Sequence, residues 1–114
     1  MSIKGRDLSN GLPNEIEITE AQIFESLSAP VTAVVNGVRF ALENTPPELS
    51  ADIVDKGIIM TGGGSLLARL DELLRIKTGL PVELAEDPLL CVALGTGKTL
   101  EELKVMKSVL LRSY

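Results

Sequence analysis

The run MTGGGSLLARL, from Met60 to Leu70, constrains this chain more than any other stretch. Three glycines stand between a β-branched segment and a leucine-rich one. Upstream, KGIIMT reads as a short buried strand. Downstream, Leu66, Leu67, Leu70, Leu73 and Leu74 recur at helical spacing. Gly79 ends that helix, Pro81 follows, and PVELA reads as a second strand. Residues 57–84 therefore predict strand, glycine turn, helix and strand, a parallel α/β unit.

A backbone this bare has two uses, and the residues leave both open. One is a tight strand-to-helix turn. The other is a ligand pressed against main chain, because missing side chains let a flat group approach. Ser65 is placed to cap the following helix, whose unpaired N–H groups and dipole would favour an anion. Gly62, Gly63, Gly64 and Ser65 are thus candidate nucleotide contacts. The Rossmann spacing fails, because Leu67 stands where a third glycine is needed. A phosphate loop fails too. Gly97-Lys98-Thr99 has the right ending, but Val92 occupies the position of its first glycine.

The flanks add a hairpin and helices. In KGRDLSNGLPNEIEIT, Asn10-Gly11 and Pro13-Asn14 are turn signals, and Glu15 to Thr19 alternate as a half-buried strand pairing with residues 4–8. Thr19 and Gln22 have capping-box spacing. Pro30 predicts a short helix, a kink and a longer helix to about Leu42, with Val31, Val34, Val35, Val38 and Leu42 on its apolar face and an Arg39–Glu43 pair on the wet side. Pro46-Pro47 ends it, and a short helix follows with Leu49 and Ile53 inward. Asp87-Pro88 is the expected cap and first position of a last helix that buries Leu90, Val92, Ala93 and Leu94. Gly95 and Gly97 lie inside that helix, and Leu100, Leu103, Met106 and Leu110 continue its stripe.

Composition narrows the chemistry. With 114 residues, 45% apolar and 3% aromatic, one modest aliphatic core is expected. A formal charge of -5 argues against nucleic acid as a partner. Charge is uneven: from Lys98 to Tyr114 there are four basic residues and two acidic ones. With no histidine, histidine-based catalysis, His/Cys zinc sites and histidine triads are excluded. The single Cys91 excludes an internal disulfide and is expected as a buried small hydrophobe. No apolar run approaches the roughly 18 residues of a membrane span, so a cytoplasmic setting without direct membrane insertion is expected. Asp52 and Asp55 make a weak magnesium pair and read as a solvated face; Glu101-Glu102, Arg69, Arg75 and Lys77 likewise read as exposed. No catalytic and no metal residue is assigned.

Three blocks then carry a resemblance: KGRDLSNGLPNEIEIT, LENTPPELSADIVDKGIIMTGGGSLLARLDELL and TGLPVELAEDPLLCVALGTGKTLEEL. In this order, over roughly residues 3–107, they closely resemble the C-terminal third of the MreB family, the bacterial actin-like rod shape-determining proteins. The resemblance implies an α/β, partial actin/sugar-kinase (ribonuclease H-like) fold. Residues 1–19 would be a β-hairpin from the small subdomain of the second lobe, 20–107 the C-terminal part of its large subdomain, and 108–114 a tail. It implies that Gly62, Gly63 and Gly64 lie against the nucleoside and inner-phosphate side of ATP. It also implies that the segment from Asp87 through Gly95 and Gly97 is the second connecting motif near the hinge between lobes, its helical glycines allowing close packing.

By the same resemblance, the complete protein would use ATP and magnesium, assemble into membrane-associated filaments, work with a cell-shape membrane-protein complex and organise cell-wall synthesis. The phosphate-binding hairpins and the water-positioning carboxylate of the family have no counterpart here, so no ATPase activity is expected of this chain alone. Arg69 departs from the glycine common in relatives, and the tail from Lys104 drifts from their usual ending. Two alternatives stand beside this reading: an independent module binding a cell-shape partner without nucleotide, and a remnant of a sugar-kinase or chaperone-type ATPase.

Overall fold

The computed structural model describes residues 1–110. The chain divides into two compact units, Met1–Asn44 and Thr45–Tyr114.

The first unit holds a hairpin and one long helix. Strands β1 (Ser2–Arg6) and β2 (Pro13–Glu17) pair antiparallel, with Ile3 opposite Ile16 and Arg6 opposite Pro13. Asp7 organises the connection: its carboxylate accepts the Ser9 N–H at 2.8 Å and the Ser9 hydroxyl at 2.5 Å, and its carbonyl accepts the Gly11 N–H at 2.8 Å. The Ser9 hydroxyl, then the Ser9 N–H, hold the Asp7 carboxyl below the ordinary aspartate range. The expected half-burial of β2 is corrected, because every residue of both strands is exposed. Alternation marks the more apolar face of a strand, and does not supply a cover for it.

Helix α1 (Glu20–Glu43) begins at the expected capping box: the Gln22 N–H donates to Thr19 Oγ1 at 3.3 Å and the Thr19 N–H to Gln22 Oε1 at 3.0 Å. The expected break at Pro30 is corrected to one continuous helix. A proline removes one N–H and crowds the preceding turn. In a helix of 24 residues that local cost is set against many intact turns. Val31, Val35, Val38 and Leu42 form the least exposed face, while Val34, expected with them, is 48% exposed. The expected Arg39–Glu43 pair is not formed; among the described residues the ion pairs are Arg69–Glu72 and Arg75–Asp71.

The second unit contains the α/β element. Helix α2 (Pro47–Lys56) starts at the expected proline and ends at Gly57. Ile53 is half-buried, but Leu49 is exposed, against expectation. Gly57 has φ +75° and ψ -160°, a region open in practice only to glycine. A Cβ there would stand 2.5 Å from the Pro81 carbonyl oxygen. That contact is where two strands meet: the Ile58 N–H donates to Pro81 O at 2.8 Å. Strands β3 (Ile58–Met60) and β4 (Val82–Leu84) then run parallel, Ile58 beside Val82 and Met60 beside Leu84.

Helix α3 (Leu70–Thr78) connects them and contacts β4. Leu70, Leu74, Met60 and Val82 are the buried apolar residues of this unit. Gly79 ends α3 as expected, its N–H on Arg75 O at 2.9 Å. Arg75 is not a free surface residue: Nε donates to Val82 O at 2.9 Å and an Nη to Asp71 Oδ2 at 2.6 Å, tying α3 to β4. Helices α4 (Cys91–Glu101) and α5 (Leu103–Leu110) follow, separated at Glu102. The expected burial on α4 is corrected: Leu90, Val92, Ala93 and Leu94 are all exposed. Cys91 is half-buried rather than buried, and its thiol donates to Asp87 O at 3.2 Å. Of the tail placed at 108–114, residues 111–114 lie outside the described residues.

Candidate functional site

The glycine turn leaves the end of β3. Gly62 takes φ +80° and ψ 170°, again a conformation that side chains avoid. Its N–H donates to Pro88 O at 2.7 Å. Its carbonyl accepts the Ser65 N–H at 3.2 Å and the Ser65 hydroxyl at 2.6 Å. Gly63–Leu66 then close into a single 3-10 turn. Gly63 backs onto the next loop, where an added Cβ would meet Leu89 Cδ2 at 3.3 Å. Gly63 and Gly64 are exposed, and a Cβ on Gly64 would meet nothing within 4 Å. The result is a ledge of bare backbone, fixed from behind by Ser65 and from the side by Pro88.

Ser65 therefore does something other than expected. It is buried at 8% and locks the turn from inside, and it does not cap α3. Helix α3 starts later, at Leu70, so Leu66 and Leu67 fall outside it and are 52% and 39% exposed. Arg69 is the N-cap of α3, not a residue within it, and has φ +63°, the left-handed region. Its Nε donates to Glu72 Oε2 at 2.9 Å. This pair lowers the Glu72 carboxyl below, and raises the Arg69 guanidinium above, their ordinary values. With Asp71 and Glu72 in its first turn, α3 already carries the negative charge its dipole favours. The anion-holding helix end expected beside the glycines is thus absent from this turn.

The connecting segment is brought to the same place, by different atoms than the sequence suggested. Asp87 does not cap α4 with its side chain; its carbonyl accepts the Leu90 N–H at 3.0 Å, and α4 starts at Cys91. Residues 88–90 form a turn, and their backbone, through Pro88, meets Gly62. Gly95 and Gly97 lie within α4, and a Cβ on either would meet nothing within 4 Å. Lys98 and Thr99 of the apparent phosphate-loop ending are mid-helix, the Thr99 hydroxyl donating to Gly95 O at 2.9 Å. Asp52 and Asp55 are exposed on α2, and no metal-type cluster occurs among the described residues.

Sequence reasoning ends the short helix before Gly57, as the structure does, but missed the close approach of Pro81 to that glycine and the roles of Arg75 and Pro88. Pro88 acts through its carbonyl, which every residue has, so no side-chain pattern could mark it.

Comparison with known proteins places these features in one family. The family model for MreB/Mbl protein matches residues 1–108. The chain is 48% identical over 101 residues to the cell shape-determining protein MreB of Escherichia coli K12, covering 89% of this chain and 29% of that relative. It is 48% identical over 103 residues to the cell shape-determining protein Mbl of Bacillus subtilis 168, covering 90% of this chain and 31% of the relative. Among solved structures, MreB5 of Spiroplasma citri bound to ADP superposes with a TM-score of 0.82 at 38% identity, over 91% of this chain and 32% of that one. The same protein bound to AMPPNP gives a TM-score of 0.80 at 36% identity, over 100% and 33%. The chain thus spans about a third or less of the length of the relatives it matches.

Proposed function

The chain belongs to the MreB/Mbl family, and from that premise we propose that it forms the C-terminal part of an actin-like, ATP-dependent filament subunit that maintains rod cell shape. Residues 1–19 serve as the hairpin of the second lobe's small subdomain and 20–107 as the end of its large subdomain, with 108–114 a tail. The ledge of Gly62, Gly63 and Gly64, locked by Ser65, is the adenosine-side wall of the nucleotide cleft. Asp87, Gly95 and Gly97 belong to the connecting segment at the hinge.

The observation that carries this reading is the Gly62 N–H bonded to Pro88 O, which holds an exposed, side-chain-free surface against that segment. One relative of the same fold, MreB5 of Spiroplasma citri, holds ADP in one structure and AMPPNP in another. Phosphoryl transfer requires groups that clamp the outer phosphates and a metal. Those groups, with magnesium, are assigned to the remainder of the two-lobed fold, so no ATP hydrolysis is expected of this chain alone. Filament contacts, the cell-shape membrane-protein complex and cytoplasmic assembly beneath the membrane belong to that whole.

The test joins this chain to the upstream part of the Escherichia coli relative and titrates magnesium-ATP by calorimetry, with light scattering alongside. Saturable binding with ATP-dependent scattering is expected. Gly64→Leu fills open space without backbone strain, and should weaken ATP by roughly tenfold or more through steric block. Unchanged affinity in Gly64→Leu would remove the ledge from the nucleotide site.

A further inference from the structure

The dipeptide Asn-Gly occurs twice in the first unit, at Asn10-Gly11 and at Asn36-Gly37. The pairs share a sequence and differ in backbone. Asn10-Gly11 lies in the connection between β1 and β2, whereas Asn36-Gly37 lies inside α1. Exposure does not separate them, because all these residues are exposed. Asn-Gly carries its own chemistry: a glycine nitrogen, with no side chain beside it, can attack the side-chain amide carbon of the asparagine before it. Asn14 and Asn44 precede Glu15 and Thr45, whose side chains shield that nitrogen.

We propose that Asn10 is a site of spontaneous deamidation in the folded chain, and that Asn36 is not. The Gly11 nitrogen attacks Asn10 Cγ, and the new C–N bond closes a succinimide ring. The Cγ–Nδ2 bond breaks, and Nδ2 leaves as ammonia with the proton that Gly11 N gives up. Water then opens the ring at either carbonyl, giving aspartate or isoaspartate. The connection favours this step on the acceptor side. The Leu12 N–H donates to Asn10 Oδ1 at 2.9 Å, which polarises the amide carbonyl and steadies the oxyanion that attack produces. The Arg6 guanidinium stands 3.8 Å from where a Gly11 Cβ would be, and favours the negative charge that develops as that nitrogen loses its proton. Against the step stand the Asp7 carboxylate, of like charge, and the bond from Gly11 N–H to Asp7 O at 2.8 Å. That bond lies in an exposed turn, so releasing it is a local opening. In α1 the Gly37 N–H belongs to the ladder of a 24-residue helix, and helical φ and ψ do not bring that nitrogen onto Asn36 Cγ. Helix must unwind before Asn36 can react. The inference is independent of the nucleotide reading.

The experiment incubates the full chain at mildly alkaline pH, folded and in urea. A glutamyl endopeptidase then cuts between the two dipeptides, after Glu15 and Glu25, and mass spectrometry reads amide-to-acid conversion in each peptide. Isoaspartate is read separately, by methyl transfer from labelled S-adenosylmethionine with an isoaspartyl methyltransferase. In the folded chain Asn10 should convert at least about tenfold faster than Asn36, because only the turn has to open. In urea the two should convert at similar rates, since the dipeptides are the same. Asn10→Gln should remove the folded chain's methyl label, because the longer side chain closes its ring far more slowly. Equal rates in the folded chain overturn the proposal. So does an Asn10 that converts only in urea, which would show that the Asp7 and Leu12 bonds shield the turn, and so does label that persists in Asn10→Gln.

Discussion

The β3–α3–β4 element and the α4–α5 pair lie in one compact unit and have similar apolar content, yet they end differently. In the first, Met60, Leu70, Leu74 and Val82 are between 1% and 8% exposed. In the second, Val92, Leu94, Leu100 and Val105 are between 60% and 76% exposed. The first forms a small core because a parallel strand pair and its crossover helix are consecutive in sequence, although Ile59 and Ile76 on its outer faces stay 57% and 72% exposed. The second presents apolar faces whose cover is not consecutive with them. A segment can thus carry the pattern of a core helix and find its core only in a larger assembly.

The largest effect should come from the point on which the closed element turns. Gly57→Ala puts a Cβ 2.5 Å from a backbone oxygen at φ +75°. We expect a loss of about 3 kcal/mol or more, seen as unfolding of this unit by urea titration. Wild-type stability in that variant would mean that β3 and β4 can shift apart without consequence.

A matched pair of leucine deletions tests the comparison directly. Leu74→Ala, at a position 3% exposed, should cost about 2–5 kcal/mol. Leu94→Ala, at a position 60% exposed, should fall within about 0.5 kcal/mol of wild type. In the protein joined to its upstream part, Leu94→Ala should cost more than in the chain alone. Equal costs in both settings would show that the α4 face is solvated by design.

What the sequence made legible follows the same division. Strand, turn, helix and strand over 57–84 were readable because Gly79, Pro81 and the β-branched runs act locally. The Thr19–Gln22 capping box and the Pro47 helix start were readable for the same reason. Burial on α4 was misjudged because periodicity names a face and not its cover. The turn at the glycines was legible, but its anchoring was not: Ser65 bonds backward to Gly62 O, and the α3 cap shifts to Arg69. The Pro88 carbonyl lies beyond sequence reading altogether. Family resemblance supplied the one context in which the unclosed faces make sense, since the chain covers 29% of its Escherichia coli relative.

Arg69 offers a smaller test, on the closed element. The left-handed conformation costs a residue with a Cβ roughly 1–2 kcal/mol, and glycine almost nothing. Arg69→Gly also removes a cation from the start of α3, where the dipole disfavours it. The substitution loses a surface ion pair whose side chains are 81% and 47% exposed, a small loss. Its net effect should be a melting temperature higher by about 4 °C. A lower melting temperature would show that the Glu72 contact outweighs the backbone strain.

The finest effect is the pH dependence of that same pair. Hydrogen bonding and the charge of Arg69 depress the Glu72 carboxyl. A carboxyl depressed in the folded state adds stability above its unfolded value, and that stability is lost as pH falls through the lowered folded value. The loss belongs to the acid side, below the ordinary glutamate range. The raised Arg69 value adds stability that disappears only above the ordinary arginine range, so neutral pH leaves the pair intact. An NMR titration of the Glu72 carboxyl carbon should give a midpoint below the ordinary glutamate value, moving upward in Arg69→Gly and in high salt. If the midpoint is the same in Arg69→Gly, the guanidinium does not hold this carboxylate. The start of α3 would then be fixed by its backbone alone, unlike the glycine turn before it, which the Ser65 hydroxyl locks.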